Sequence, residues 1–328
     1  MNQGHAKFAD MVSWKEEYFD LMTEGLCEKA ELILTQNRPK RLYKFYSLSD
    51  LSINNIKADL LWFSNPQYYN DPYDSSIQQY FSFGKFLIEN DLISLLLSKI
   101  DLDRDELLVF KEKLFSENKS IKEVVNNFLE YLSNLHDQVP EKERLQIDSL
   151  IRKIKGMRIG IYDDNIINTF FERLYIACFT EIKDDILMWS HYAGANTGFC
   201  VEYDLENYWQ TARDQNINIV PIVYKNELFS YREYKNCSNP IPQIIMKNYC
   251  WNYEKEWRMV IKGDRRLKGT GKRSPKILKV ILGANFNYSV SSELKERLVS
   301  LIRSKNIEVS RMRPEENRYR LNEYPIKL

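Results

Sequence analysis

The chain has 328 residues, of which 44% are hydrophobic and 28% charged, a balance typical of globular proteins with a substantial buried core. Its 11 glycines and 10 prolines amount to about half of the usual combined share, which excludes collagen-like and low-complexity classes. The 47 basic and 46 acidic residues leave a net charge of +1, which excludes a surface coated for nucleic-acid binding.

Cysteine usage and hydropathy indicate the compartment. The 5 cysteines form an odd number without a CxxC pair, which indicates reduced thiols rather than a disulfide framework or a zinc knuckle. No apolar stretch approaches the roughly 18 to 20 residues of a membrane-spanning helix, and the first residues lack the apolar core of a signal peptide. We therefore expect a cytoplasmic protein without membrane contact.

The N-terminal part of the chain predicts two helical stretches and two strands. Apolar residues at helical spacing predict one or two helices within an N-terminal segment at 1–38. Strands are predicted at Arg41–Tyr46 and Leu60–Ser64, because both segments are dense in aromatic and aliphatic residues. A short helix over 49–59 separates them, with Ser49 or the residue after it as its cap.

The amino-acid composition changes twice along the rest of the chain. Residues 83–168 are dominated by Leu, Ile, Lys and Glu at helical spacing and predict a helical insertion. Segments rich in β-branched and aromatic residues then predict strands at 173–180, 198–203, 218–224, 256–262, 277–282 and 307–312. Further helices are predicted at 184–192, 230–249 and 291–304. These elements indicate a single α+β domain over 39–328, with a mixed or antiparallel sheet.

Familiar cofactor motifs are incomplete in this sequence. The segment GTGKRS at 269–274 lacks the first glycine and the final Ser or Thr of a phosphate-binding loop, so a basic surface turn is predicted there. The acidic segment at 101–106 lacks the turn glycine of a calcium loop and predicts a capped helix start. The 3 histidines are too few and too dispersed for a zinc site, and we expect no structural metal.

The first of three informative clusters is a polar turn at 63–74, directly after the second predicted strand. It contains two prolines, two asparagines and two aspartates. Loops that follow strands commonly carry functional side chains. The alternative is a rigid connector whose Asn and Asp side chains bond only to their own backbone.

The second cluster, at 188–193, places Trp189, Ser190, His191 and Tyr192 side by side before a glycine-bearing turn. An indole, a hydroxyl, an imidazole and a phenol could stack on a base and bond to its edge. The alternative is that Trp189 and Tyr192 simply form one buried face of a helix.

The third cluster, at 251–258, is rich in charge. In an extended strand, Glu254, Glu256 and Arg258 share one face. Two carboxylates and a guanidinium cannot be buried without partners. That face is therefore either solvated or the lining of a polar site.

These clusters resemble motifs of DUF2971, a bacterial family of unknown function. The resembling segments occur in order, at 43–46, 64–74, 178–180, 188–192, 198–203 and 254–258. The departures are small, since Phe45 stands where the family usually has Tyr and Thr180 replaces Ser. The resemblance covers residues 41–262 around the helical insertion. It implies membership of the family without implying an activity.

A more distant resemblance is to NAD-consuming ADP-ribosyltransferases, especially the group that modifies nucleic acid. The shared order is a first strand with an aromatic or basic residue, a short helix, a second strand ending in a hydroxyl, and a later strand with a glutamate. In that plan the glutamate bonds to the ribose 2′-hydroxyl and favours the oxocarbenium-like cation formed as nicotinamide leaves. NAD is then a substrate.

Carried onto this chain, the resemblance implies Glu256 as the catalytic carboxylate and Glu254 as the residue that positions the acceptor. Arg258 would bind a phosphate. His191 is a further candidate catalytic residue, to which that plan assigns no role. The residues expected to bind NAD are Tyr43, Lys44, Ser64, Tyr69, Asn70, Asp71, Trp189, Tyr192 and Arg258, with Trp62 or Tyr68 as alternative stacking partners for nicotinamide.

The expected function is therefore that of an ADP-ribosyltransferase-like or NAD-glycohydrolase effector in a bacterial toxin or phage-defence context, with nucleic acid or protein as acceptor. One alternative is a Mg²⁺-dependent nuclease or phosphodiesterase, with ligands drawn from Asp71, Asp74, Glu202, Asp204 and Glu254. Another is a non-catalytic sensor that binds a protein partner through the insertion at 83–168.

Overall fold

The computed structural model of the protein describes residues 13–71, 73–75, 121–156, 173–228, 241–263, 267–288 and 291–327. These residues form an α+β structure, in which helices pack against a curled, mixed sheet of ten strands. The predicted fold class is confirmed. None of the helices in the described ranges is long and apolar enough to cross a membrane.

The elements are numbered here in chain order. The helices are α1 (Trp14–Thr23), α2 (Cys27–Gln36), α3 (Asp50–Lys57), α4 (Ile121–His136), α5 (Glu141–Gly156), α6 (Ile186–Tyr192), α7 (Tyr208–Asp214), α8 (Ile241–Ile244) and α9 (Ser292–Ser304). The strands are β1 (Arg41–Tyr46), β2 (Leu60–Ser64), β3 (Leu174–Thr180), β4 (Phe199–Asp204), β5 (Asn218–Pro221), β6 (Val223–Lys225), β7 (Met246–Asn248), β8 (Glu256–Lys262), β9 (Gly269–Arg273), β10 (Lys276–Leu282), β11 (Glu308–Pro314) and β12 (Leu321–Pro325).

Side-chain caps define the starts of two N-terminal helices. The Ser13 hydroxyl accepts the Glu16 N–H, while the Glu16 carboxylate accepts the Ser13 N–H, so that two otherwise unpaired donors of α1 are satisfied. Ser49 caps α3 in the same reciprocal way with Ser52. The sequence predicts both helices, α1 from the spacing of apolar residues and α3 between two predicted strands, with Ser49 as one of its two candidate caps.

The sheet opens at its centre, and this opening positions the site. The strand order is β12-β11-β10-β4-β1-β3-β2-β9, with β8 and β5 extending from the other edge of β3. Strand β3 pairs with β8 along its whole length. On its opposite edge it meets β1 through the single pair Tyr43↔Thr180 and β2 through the single pair Ser64↔Ile176. Two strands joined at one residue pair leave space beside that pair.

Apolar residues pack on both faces of the sheet. The larger core lies against α1, α2, α3 and α9 and includes Phe19, Ile53, Val201 and Leu298. A smaller cluster, on the face covered by α6, contains Trp189, Phe45 and Cys200. Alternation along each strand divides the side chains between these faces, as expected for strands buried on two sides.

Two local predictions are wrong. Residues 269–273 form β9 instead of a surface turn, because all five pair with β2 and complete its hydrogen bonding. Residues 246–248 form β7 within the predicted helix at 230–249, because they pair with β6. In both cases pairing with a distant segment overrides local preference. Of the predicted helical insertion, α4 and α5 are described, whereas the acidic segment at 101–106 lies outside the described residues.

Candidate functional site

A cavity of about 160 Å³ lies where β1 and β3 part. Its walls come from these two strands, from the loop after β2, from α6 and from the start of β8. The lining residues are Tyr43, Lys44, Phe45, Tyr69, Asn70, Asp74, Cys178, Phe179, Thr180, Met188, Tyr192, Lys247, Glu254 and Glu256.

Glu254 and Glu256 reach the cavity from either side of a strained residue. Lys255 lies between them with a φ of 45°, a left-handed conformation that side chains other than glycine adopt rarely. The Thr180 hydroxyl donates to the Glu254 carbonyl at 2.6 Å, and the Tyr224 hydroxyl accepts the Glu256 N–H at 2.7 Å. These bonds hold a turn that brings both carboxylates to one cavity.

Arg258 anchors this arrangement from behind the cavity. It is fully buried and pairs with the Glu256 carboxylate through Nε at 2.8 Å and Nη2 at 3.2 Å. Nη2 also donates to Asp74 at 2.6 Å, and Nη1 donates to the Ser75 hydroxyl at 3.1 Å and the Ile244 carbonyl at 2.6 Å. A guanidinium has five N–H donors, and all of them are used here. Arg258 therefore has no donor left for a phosphate.

Lys247 lies among three carboxylates. Its Nζ is 2.6 Å from Glu254 Oε2, 3.2 Å from Glu256 Oε2 and 3.7 Å from Asp74 Oδ2. The ammonium also lies 4.9 Å from the ring centroid of Trp251. Lys247 thus bridges the two glutamates and links them to the loop that follows β2.

The two glutamates have pKa values displaced in opposite directions. Burial alone would raise the pKa of Glu256, but the positive charges of Arg258 and Lys247 outweigh it and hold that pKa at about 2. The pKa of Glu254 is raised above its ordinary value, first by burial and then by the negative charge of Glu256. The cavity therefore combines a permanent anion with a carboxyl group that titrates closer to neutrality.

Helix α6 contributes one further partner of Glu254. The Asp185 side chain caps this helix, and the Tyr192 hydroxyl at its end donates to Glu254 Oε1 at 2.5 Å. Trp189, on the same helix, is fully buried and donates its indole N–H to the Lys183 carbonyl at 2.7 Å. Trp189 of α6 therefore packs in the protein interior, whereas Tyr192 lines the cavity and binds Glu254.

The opposite wall is aromatic with one buried amine. Tyr43 and Tyr69 line it, and the Tyr69 hydroxyl lies 3.4 Å from the Cys178 sulfur. Burial, reinforced by the charge of Glu256, raises the pKa of the Cys178 thiol to about 12, so it remains protonated at neutral pH. Lys44 inserts into the opening of the sheet and donates to the Cys178 carbonyl at 2.9 Å. Burial lowers the pKa of Lys44.

Five of the residues that line the cavity, Met188, Tyr192, Lys247, Glu254 and Glu256, lie on one stretch of sequence from α6 to β8. Residues 188–259 match the family model described as a protein of unknown function, DUF2971. The expected DUF2971 resemblance is confirmed over this stretch. No curated protein and no solved structure matches the chain.

The DUF2971 match includes one side of the cavity and excludes the other. Tyr192, Lys247, Glu254 and Glu256 lie within the matched residues. Tyr43 and the other residues of β1, β3 and the loop after β2 lie before them in the sequence. The cavity therefore joins the matched segment to earlier parts of the chain.

The structure gathers part of the sequence-predicted set at the cavity. The predicted residues that line it are Glu254, Glu256, Tyr43, Lys44, Tyr69, Asn70 and Tyr192. The others lie elsewhere: Arg258 and Trp189 are buried behind it, His191 is exposed on α6, Ser64 ends β2, and Asp71 accepts the Tyr73 N–H in its own loop. Trp62 and Tyr68, the alternative stacking residues, are also absent from the lining of this cavity.

Lys247 lines the cavity but is not predicted as a site residue from the sequence. The residue falls within the predicted helix at 230–249, where a lysine is ordinary, and no neighbouring residue marks it as part of a site. Only the pairing of β7 with β6 and the turn before β8 bring its ammonium to Glu254.

The carboxylates proposed for a magnesium site do not form one group. Within the described ranges, no set of three or more His, Cys, Asp or Glu side chains is arranged to hold a metal ion. Glu202 pairs with Arg41 at 2.6 Å, and Asp204 accepts a backbone N–H in its own turn. Where Asp74 and Glu254 do approach each other, the ammonium of Lys247 lies between them.

Proposed function

We propose that this protein cleaves the bond between nicotinamide and ribose in NAD, as an NAD glycohydrolase or an ADP-ribosyltransferase-like enzyme. The observation that carries the proposal is the pair Glu254 and Glu256, which line one cavity with pKa values displaced in opposite directions. Such a pair can divide the roles of fixed anion and proton acceptor between two carboxylates.

Glu256 supplies the fixed negative charge. Its pKa of about 2 keeps it ionised at any physiological pH. Positive charge develops on the ribose ring as the bond from C1′ to the nicotinamide nitrogen breaks and nicotinamide leaves with the electron pair. A preorganised anion beside that ring stabilises the transition state more than the ground state.

Glu254 acts as the proton acceptor. A water molecule, or the hydroxyl of an acceptor, donates an oxygen lone pair to C1′ and forms the new bond there. The proton that this oxygen loses passes to the Glu254 carboxylate, whose raised pKa brings it nearer to the operating pH of the protein. The Tyr192 hydroxyl and the Lys247 ammonium hold this carboxylate in place.

The size and lining of the cavity support a small, flat, cationic ring system as its occupant. At about 160 Å³ the cavity is smaller than the roughly 300–1,000 Å³ of sites that hold drug-sized ligands, so it takes one part of a dinucleotide. Tyr43 and Tyr69 contribute aromatic rings to the lining, which could contact that part. A nucleic-acid or protein acceptor would approach from outside, and consumption of NAD would suit a bacterial toxin or phage-defence effector.

The test is the release of nicotinamide from NAD, measured by liquid chromatography with the purified full-length protein. We expect Glu256→Gln to lower the rate by about 100-fold or more, the usual effect of removing one preorganised electrostatic group. Glu254→Gln should lower it as well. Glu206→Gln is the matched control, because Glu206 is exposed and, among the described residues, its ion pair is with the exposed Lys40.

Circular dichroism and thermal unfolding of each variant separate loss of activity from loss of folding. The proposal fails if the folded wild-type protein releases no nicotinamide with or without nucleic-acid and protein acceptors. It also fails if the folded Glu254→Gln and Glu256→Gln variants both match the Glu206→Gln rate.

A further inference from the structure

A second cavity adjoins the first and shares two side chains with it. Its volume is about 180 Å³. Asp74 and Lys247 line both cavities and form the wall between them. The remaining lining residues of the second cavity are Tyr73, Lys225, Asn226, Glu227, Leu228, Met246 and Asn248. A ligand longer than one ring could therefore occupy both cavities across this shared wall.

Lys225 is the cation of the second cavity that is available to a ligand. In the described part of the chain its ammonium makes no ion pair and lies 4.5 Å from the ring centroid of Phe19. Lys247 is already bonded to Glu254 and Glu256, and every donor of Arg258 is used. An anionic ligand would therefore find its strongest unshared partner at Lys225.

Strand pairing places a second donor beside this lysine. Lys225, at the end of β6, lies opposite Asn248, at the end of β7. The Asn248 side-chain oxygen accepts the Cys250 N–H at 2.9 Å, which leaves its NH₂ group to donate elsewhere. An ammonium and an amide NH₂ at adjacent positions are a suitable pair of donors for phosphate oxygens.

The carboxylates that line the second cavity do not cancel its ability to bind an anion. Asp74 is buried and already pairs with Arg258 at 2.6 Å and lies 3.7 Å from Lys247. Glu227 is exposed, so its charge is screened by solvent and can turn away from a ligand. The chain also lacks a glycine-rich loop that could bind a diphosphate on backbone N–H groups, so a phosphate here needs side-chain donors.

We propose that the second cavity binds the diphosphate of the dinucleotide substrate, with Lys225 and Asn248 as its donors. The identity of the substrate rests on the proposed function, whereas the phosphate-binding site rests on the second cavity alone. The nicotinamide-bearing ribose would then lie in the first cavity, beside Glu254 and Glu256, and the chain of phosphates would pass Lys247.

The test is binding of inorganic pyrophosphate to the full chain, measured by isothermal titration calorimetry. We expect Lys225→Met to weaken this binding about 10-fold or more, because it removes a hydrogen bond between two charged groups. Lys276→Met is the matched control, because Lys276 is exposed on β10 and lies outside both cavities. Equal affinities of the two variants, or no binding by the wild-type protein, would overturn the proposal.

Kinetics with NAD distinguish this proposal from the proposed function. If both hold, Lys225→Met raises KM for NAD about 10-fold with little change in kcat, because the residue is remote from the reacting bond. Nicotinamide release with an unchanged KM in Lys225→Met would overturn the diphosphate site and leave the proposed function intact. Lys225-dependent pyrophosphate binding without any nicotinamide release would overturn the proposed function and leave the phosphate site intact.

Discussion

The side-chain nitrogen of Lys247 lies 2.6 Å from Oε2 of Glu254, and both residues are almost completely buried. The same nitrogen contacts Glu256, so a single ammonium serves two carboxylates that titrate in different ranges. Burial would lower the pKa of Lys247, but the charges of Glu256 and Glu254 outweigh it and raise that pKa. Lys247 is therefore charged at neutral pH.

Lys247→Met removes this charge and leaves buried carboxylates with fewer partners. We expect the free energy of unfolding to fall by about 3–5 kcal/mol, as when one partner of a buried ion pair is removed. Urea denaturation followed by tryptophan fluorescence measures the change. Lys305→Met is the control, since Lys305 pairs with the exposed Asp59 and should contribute about 1 kcal/mol or less. Similar losses in both variants would contradict the bridging role.

Arg258→Lys tests whether the shape of the guanidinium matters in addition to its charge. A lysine ammonium cannot reach Glu256, Asp74 and the Ile244 carbonyl at once, so buried acceptors lose their donors. We expect a loss of about 3 kcal/mol or more in the free energy of unfolding.

The control for this substitution is Arg297→Lys. Arg297 pairs with Asp50 on the surface, where lysine can replace arginine with little effect. Chemical denaturation of both variants measures the two changes in the free energy of unfolding. A well-folded Arg258→Lys protein with wild-type stability would show that the five hydrogen bonds of Arg258 add nothing beyond its charge.

Tyr192→Phe should shift the pH dependence of NAD cleavage. The Tyr192 hydroxyl donates to Glu254 and thereby favours the ionised carboxylate, so this hydrogen bond lowers a pKa that burial raises. Its removal raises the pKa of Glu254 further. Because Glu254 must be ionised to accept a proton, the acid limb of kcat/KM should move to higher pH by about one unit.

The acid limb is measured from initial rates of nicotinamide release in buffers of constant ionic strength. Tyr288→Phe serves as the control, since Tyr288 is 81% exposed and does not line the cavity. An acid limb that stays in place, or that moves to lower pH, would remove Glu254 from the role of proton acceptor.

Glu256→Gln should change how stability responds to acid. The folded pKa of Glu256 is about 2, below its ordinary value near 4.5. The ionised group therefore contributes stability in full above about pH 4.5 and loses it as the pH falls towards 2. We expect the unfolding free energy of Glu256→Gln to depend less on pH between about pH 5 and about pH 3 than that of the wild type. Urea titrations at several pH values measure both slopes, and equal slopes would contradict the depressed pKa.

The sequence alone identified most of the elements and several residues of the cavity. Strands β1, β3 and β8 are dense in aromatic and aliphatic residues, and such segments are buried in most arrangements of a sheet. Glu254, Glu256 and Arg258 stood out because two carboxylates and a guanidinium in alternation need partners. Those local regularities depend on residues a few positions apart, and they do not require knowledge of contacts with distant parts of the chain.

The tertiary structure decided which charges meet. Asp74 and Arg258 are separated by 184 positions in sequence, and their contact depends on the path of the loop after β2. No pattern in the sequence around Lys247 marks it as a site residue. The glycine-containing basic segment at 269–273 forms the strand β9 because its five residues pair with β2. No periodicity in the sequence encodes these contacts. They arise because buried donors and acceptors must be satisfied by whatever groups the folded chain brings near, and that requirement acts only once the sheet has assembled.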